Sequence, residues 1–278
     1  MSTATTEPAR SSSTGSAGEP ARRPPGWFGI KDLFTTINAL GGVVAICLCI
    51  DGEPYWAGWA MLLGYTFGDT LDGWVARKLG TSNQFGAEYD TISDHLAHCI
   101  APGAIVYTVY RDVDLGLVPW LQHVVAIALG GSIMITASIR HARNIARPIS
   151  YKGVWVGLPR TVLGFLSVAY VDAALTARVP GGYWLGVVLI LGACVAALTY
   201  LPFPNHHLPR RHHWYVRVWL VASFGGLAVI GLVARRYLFD GLFVVTFSYS
   251  VGSWVTLTAD ERRTFRATVR RGLAAVSA

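Results

Sequence analysis

Asp69, Asp72, Asp90 and Asp94 stand within one stretch, DTLDGWVARKLGTSNQFGAEYDTISD, between segments that are otherwise almost purely apolar. At 100° per residue, Asp69, Asp72, Gly73, Ala76 and Arg77 fall within roughly 140° of one helix. Leu71, Trp74 and Val75 take its other side. Gly86, Asp90 and Asp94 recur at i, i+4 and i+8, a single stripe on a second helix. The connection, residues 78–85, is short enough to make the two helices antiparallel neighbours whose acidic faces meet. Carboxylates gathered in apolar surroundings repel one another and resist leaving water. A cation between them offsets both costs. Oxygen-only ligands suit hard divalent ions, Mg²⁺ or Mn²⁺, and four carboxylates can hold two such ions. The glycines leave room for a large group at the backbone, and Arg77 presents a fork of donors suited to phosphate. The plain alternative is a set of helix-end charges in a solvated loop, and two faces this clean argue against it.

The elements that must position these residues are apolar and long. The chain has 278 residues, 53% hydrophobic and 14% charged, with a mean hydropathy of +0.42, too apolar for an ordinary soluble domain. Stretches near 33–50, 55–76, 86–109, 118–140, 157–177, 183–201, 214–234 and 238–257 each approach the length that crosses a bilayer. The expected fold is therefore all-α, a polytopic membrane protein of about eight transmembrane helices. Ten tryptophans and twelve tyrosines suit interfacial belts. The formal net charge is +7, but the basic residues sit at the ends of apolar runs, which favours an anionic membrane surface over nucleic acid. With the N-terminus inside, only Arg111, Arg178, Arg235 and Arg236 of the 23 Lys and Arg fall outside. Both termini, the Arg77–Lys78 loop and the aspartates are then expected on the cytoplasmic face of the cell membrane.

Residues 1–25 are Ser, Thr, Ala, Gly, Pro and Arg without an apolar run, so a disordered tail and no signal peptide are expected there. The expected organisation continues as a transmembrane core over 26–201, a helix pair over 202–258 and a basic cytoplasmic tail over 259–278. Cys47, Cys49, Cys99 and Cys194 all lie in apolar segments without metal-ligand spacing and are expected to be small core residues.

Several polar groups flank the acidic stretch. Thr35, Thr36 and Asn38 lie near one end of the first span, placed either to line a pocket or to cap and pack a helix. His95 and His98 follow Asp94 at i+1 and i+4, as supporting donors or as packing. His206, His207, His212 and His213 flank Pro209 without carboxylates nearby and are expected to be loop residues. Arg140, Arg143 and Arg147 share one face at the end of the fourth span, either as a positive-inside anchor or as an anion-binding wall beside the metal site.

Taken together, Asp69-x2-Asp72-Gly73-x2-Ala76-Arg77-x8-Gly86-x3-Asp90-x3-Asp94 resembles the complete signature of the CDP-alcohol phosphotransferases, with no position missing. Eight fixed residues are far more specific than a lone glycine motif. The resemblance covers about Leu33 to Tyr200 and implies a metal-dependent integral membrane enzyme with a six-helix core. In such an enzyme the hydroxyl of a small polar alcohol displaces CMP from CDP-diacylglycerol. By resemblance, Asp69, Asp72 and Asp90 are metal ligands. Asp94 is a ligand of the second metal and the general base. Gly73, Ala76, Arg77 and Gly86 hold the CDP moiety. A homodimer is implied as well. Within the family, the Arg/Asn-bearing helix end before Gly157-Leu158-Pro159, Ala101-Pro102 after the last aspartate, and the two extra C-terminal spans are similar to the phosphatidylserine synthase branch. L-Serine is then the expected acceptor, and Arg140 and Arg143 are the expected acceptor-binding residues. After Gly-Leu-Pro that branch usually continues with a small or proline-rich run, whereas this chain continues Arg160-Thr161-Val162-Leu163.

Inositol phosphate, glycerol phosphate and choline are the alternative acceptors. Intramembrane prenyltransferases also use aspartate pairs, but on distant helices. A cation transporter would explain the buried acids, yet not Gly73, Arg77 and Gly86 at nucleotide-site spacing.

Overall fold

The computed structural model describes residues 28–71, 84–205, 214–252 and 257–274. Helix α1 (Ile30–Ile50) starts where the Gly29 N–H donates to Asp32 Oδ2 at 2.7 Å, meeting one of the donors a helix start leaves open. It ends at Asp51 and Gly52, and Pro54 opens α2 (Pro54–Gly64), a position where the missing proline N–H costs nothing. α2 runs on through a π-helical turn, Tyr65–Asp69, to Leu71. α3 (Gln84–His95) passes through a second π turn, Leu96–Ile100, into α4 (Ala101–Asp112), so residues 84–112 form one continuous helix. α5 (Pro119–Ala146), α6 (Arg160–Asp172), the short α7 (Ala174–Arg178) and α8 (Gly182–Leu198) complete the first part of the chain. α9 (Trp214–Val233), α10 (Leu238–Gly252) and α11 (Ala259–Ala274) follow.

Two helices organise the rest. α1 packs against α2, α3 and α4, and α6 packs against α4, α8 and α10. Every residue of α6 from Leu163 to Val171 is buried, as expected of a helix enclosed on all sides. The bundle exterior is apolar instead of polar: Val188, Val195, Val221, Leu232 and Val244 are all more than 60% exposed. An apolar surface of this extent is what a membrane covers. Among the described residues, α1 and α5 are long and apolar enough to cross a membrane, and α8 and Val218–Val233 are shorter apolar helices. Cys49, Cys99 and Cys194 are buried as expected, whereas Cys47 is exposed. The expected N-terminal tail lies outside the described residues.

The all-α expectation holds with one addition. Strands β1 (Val154–Val156) and β2 (Pro202–Pro204) pair antiparallel, with Trp155 opposite Phe203. This long-range strand pair, whose strands lie on either side of α6–α8 in the sequence, fastens the loop into α6. Arg140 NH2 donates to the carbonyls of Val156 and Gly157 at 3.3 and 3.4 Å, and the Gly157 N–H donates to Leu201 O at 2.8 Å. Gly157 adopts φ +76°, and a Cβ there would lie 2.5 Å from Ala197 O and 2.8 Å from Thr199 O. Both the dihedral and the space exclude a side chain. Leu158 is fully buried, and Pro159 caps α6 with an extended backbone.

Gly157→Ala should therefore lower stability by about 2 kcal/mol or more. In a chain of this size that lowers the thermal midpoint by about 4–8 °C. Gly131→Ala, where an added Cβ meets nothing within 4 Å in the middle of α5, should leave the midpoint unchanged or raise it. Differential scanning fluorimetry in detergent separates the two, and an unaltered midpoint for Gly157→Ala would remove the constraint.

Candidate metal and transfer site

The site forms where the two π turns face α1 and the start of α6. Asp69 closes the first π turn, Asp94 lies in the last turn of α3, and His98 lies in the second π turn. Inserting a π turn re-aims the side chains around it, and such bulges recur at functional sites. One ligand atom from each of Asp69, Asp94 and His98 lies within 4.8 Å of the other two. The approach of α1 is set at Gly68, where an added Cβ would strike the backbone N and Cα of Asn38.

Asp94 is held from three helices. Its Oδ1 accepts from Asn38 Nδ2 at 3.1 Å and lies 3.6 Å from His98 Nε2. Its Oδ2 accepts from Arg160 NH2 at 2.8 Å. Arg160 NH1 also lies 3.4 Å from His141 Nδ1. The His98 ring is fully buried, edge-on to Tyr65 at 5.4 Å and beside Phe165 at 5.8 Å, and its Nδ1 has no hydrogen-bond partner among the described residues. His95 turns away, with Nε2 2.9 Å from Ser138 Oγ on α5. Thr36 Oγ1 donates to Asp32 O at 2.8 Å and lies 2.9 Å from the Tyr89 hydroxyl.

Of the residues singled out by the aspartate spacing, Asp69 and Asp94 come together, joined by His98. Asp90 lies one turn before Asp94 on α3 and is half-buried. Asp72, Gly73, Ala76 and Arg77 lie outside the described residues, as do His206, His207, His212 and His213. Gly86 is buried on α3 beside the ion pair of Lys31 and Asp32, 2.9 Å apart, with Asp32 fully buried. A Cβ on Gly86 would lie 2.5 Å from Asp32 Oδ1, so the glycine is what lets this pair approach.

The basic face of α5 serves the strand pair. Arg140 is 6% exposed and bonds to Val156 and Gly157, while Arg143 donates to the carbonyls of Leu198 and Ala197 and lies 4.8 Å over the Tyr200 ring. Among the described residues, the arginine that reaches Asp94 is Arg160. Sequence spacing did not single it out, although one signal was present. It opens α6 directly after Pro159, and a cation at a helix N-terminus opposes the helix dipole unless a nearby anion compensates. Asp32 carried a weaker signal, as an acid in an otherwise apolar helix, while Asn38 was among the polar residues grouped near the end of the first span.

Two carboxylates and an imidazole converging in a half-buried recess fit a hard to borderline divalent cation such as Mg²⁺ or Mn²⁺. Their oxygens would otherwise repel, and the buried amide of Asn38 would align Asp94 from behind. An all-helical bundle with an apolar exterior and a carboxylate-rich cation site at one end defines a class, the membrane-associated metal-dependent enzymes. The particular family follows from comparison. The chain belongs to the CDP-alcohol phosphatidyltransferase family, whose model matches residues 29–199. It is 26% identical over 232 residues to a CDP-diacylglycerol–serine O-phosphatidyltransferase of Helicobacter pylori, covering 81% of this chain and 91% of that protein. It is 39% identical over 88 residues to an archaetidylserine synthase of Methanothermobacter thermautotrophicus, covering 31% of this chain and 37% of that protein. A phosphatidylinositol phosphate synthase of Cutibacterium acnes is 24% identical over 169 residues, covering 60% of this chain and 78% of that protein.

If Asp69, Asp94 and His98 ligate together, Asp69→Asn and His98→Ala should each weaken Mn²⁺ binding by about 10- to 100-fold or more. His95→Ala, which faces Ser138 instead, should leave it unchanged. Electron paramagnetic resonance titration of free Mn²⁺ reads this directly. Equal loss in all three variants would mean that the cation lies elsewhere.

Proposed function

We propose that the chain transfers a phosphatidyl group from CDP-diacylglycerol to the hydroxyl of L-serine and releases CMP. The observation that carries this reading is the Arg160–Asp94 contact beside Asp69 and His98. The similarity to the Helicobacter pylori serine enzyme, which runs through most of both chains, supports it. The similarity to a phosphatidylinositol phosphate synthase keeps a phosphorylated polyol as the alternative acceptor.

Asp69, Asp72, Asp90 and Asp94 are the proposed ligands for two Mg²⁺ or Mn²⁺ ions, with His98 adjoining. Bound there, the ions would neutralise the diphosphate and the charge that develops on the attacked phosphorus. Gly73, Ala76, Arg77 and Gly86 are the proposed holders of the CDP moiety. Asp94 takes the proton from the serine hydroxyl. The hydroxyl oxygen forms a bond to the phosphorus that carries the diacylglycerol, and the bond from that phosphorus to the CMP oxygen breaks. A positioned base of this kind contributes about 10² to 10⁴ in rate.

The acceptor role first assigned to Arg140 and Arg143 is reassigned in part. Their guanidinium groups are engaged with backbone carbonyls, so we take them to hold the strand pair and the Gly157 loop. Arg160 is the proposed carboxylate partner of serine. Only one of its nitrogens bonds to Asp94, and a guanidinium has donors left for a second carboxylate.

Eight crossings, a homodimer, and cytoplasmic placement of both termini and the site complete the proposal. They rest on the apolar pattern, the distribution of Lys and Arg, and the family resemblance.

The acceptor is tested by purified protein with CDP-diacylglycerol and Mn²⁺, scoring CMP release against serine, inositol phosphate, glycerol phosphate and choline. Serine should be the substrate, and Arg160→Ala should raise its KM far more than that of CDP-diacylglycerol. A charge-assisted hydrogen bond of about 1.5–3 kcal/mol corresponds to about 10- to 150-fold. Asp94→Asn should nearly abolish turnover while CDP-lipid binding persists. Consumption of a phosphorylated polyol with serine ignored would leave only the reaction class standing.

Orientation is tested by single cysteines in a background without the native four. A label at Ser150, near the site end, should react from the cytoplasmic side. One at Asp112, exposed and paired with Arg111 at the far end of α4, should react from outside. The Arg111 guanidinium holds the Asp112 carboxyl below its usual range, which marks a solvated pair rather than a buried acid.

A further inference from the structure

Helix α11 stands apart from the transfer chemistry. It begins with its own capping box: the Thr258 N–H donates to Glu261 Oε2 at 3.0 Å, and the Glu261 N–H donates to Thr258 Oγ1 at 3.3 Å. Phe265 and Val269 are buried, and together with Leu257 they pack on Val154 and Val156 of strand β1, with Ile149, Tyr151, Tyr200 and Leu273 alongside. Tyr151 meets the Phe265 ring edge-on at 5.5 Å. The apolar stripe of this helix is therefore already used.

Arg263, Arg266, Arg270 and Arg271 occupy the other side, all exposed, within roughly 140° of arc. With Ala267 they line a shallow open depression of about 390 Å³. No acidic residue follows Glu261 in the sequence, and among the described residues no ion pair forms with these four arginines. A dense cationic face this close to the end of the apolar helix α10 has no matching anion among the described residues.

We propose that the arginine face of α11 is a docking surface for the phosphate-bearing headgroups of anionic lipids in the surrounding leaflet. The inference rests on the membrane reading but not on the acceptor. An amphipathic helix usually binds membranes by sinking its apolar face among the acyl chains. Here that face is committed to strand β1, so the contact is electrostatic. Guanidinium forks match phosphate oxygens in pairs, as lysine cannot. Each arginine near an anionic surface strengthens partitioning by about fivefold, and the attraction is screened within a few ångströms at molar salt. Strand β1, packed under α11, leads through Gly157 to Arg160, so the docked headgroups lie one strand away from the transfer site.

The test is hydrogen–deuterium exchange of the full chain in nanodiscs of phosphatidylcholine, with or without one-third phosphatidylglycerol. Amides of 259–274 should exchange about tenfold or more slowly with phosphatidylglycerol. The difference should vanish in 1 M NaCl and in the variant R263Q/R266Q/R270Q/R271Q. The salt arm needs no variant, so loss of folding in the fourfold variant does not blunt the test. Equal exchange in the two lipids, or a difference that survives 1 M NaCl, overturns the proposal. So does equal protection in phosphatidylcholine by a single-stranded RNA oligonucleotide, which would make the face a nucleic-acid surface. Exchange is read without turnover, so a wrong acceptor leaves the result intact.

Discussion

A carboxylate inside an apolar bundle must be met by donors or cations, and the way Asp94 is met dictates much of the architecture. Isolated burial of an ionised acid is prohibitive, and removing one partner of a buried pair typically costs about 3–5 kcal/mol. Asp94 collects Asn38 from α1, His98 from the π turn and Arg160 from α6. Three elements far apart in sequence are thus fixed to one side chain. Each close approach has its own permissive residue: Gly68 lets Asn38 in, and Gly157 turns the chain so that Arg160 points inward. Arg140 and Arg143 stabilise that turn from behind by bonding the carbonyls around it. Of the arginines around this turn, Arg160 is the one that pairs with Asp94.

The helical class was legible because it is periodic. Of the four spaced aspartates, Asp69 and Asp94 come within ligand distance of each other, while Asp72 lies outside the described residues. The π turns were not legible, since one extra residue per turn leaves no mark in an apolar run, yet they decide which side chains face the site. His98 joins Asp94 at i+4, a spacing that was visible in the sequence. The β1–β2 pair was also hidden, because three-residue strands containing two prolines and two valines look like loop and lie on either side of α6–α8. Missing it hid the backbone carbonyls that Arg140 and Arg143 bond to, so their shared helix face read as either an anchor or an anion wall. The break at Ala173, which splits one expected span into α6 and α7, follows from Asp240 Oδ2 accepting from the Ala174 N–H at 3.2 Å and Oδ1 from the Leu175 N–H at 2.9 Å. No local signal announces a cap supplied from a helix 66 residues away.

The same geometry contains a tension that bears on mechanism. Arg160 occupies Oδ2 of Asp94 and Asn38 occupies Oδ1, so both oxygens of the proposed base already accept hydrogen bonds. A hydroxyl approaching Asp94 must share or displace one of them. An uncharged acceptor offers Arg160 nothing in exchange, whereas one with a carboxylate or phosphate does. An amino acid offers its own carboxylate, and a guanidinium that turns towards it loosens its hold on Oδ2 as the hydroxyl arrives. Arg160, the residue that departs from the usual run after Gly-Leu-Pro, is held in reach of Asp94 by the β1–β2 strand pair, the Gly157 turn and the enclosed helix α6.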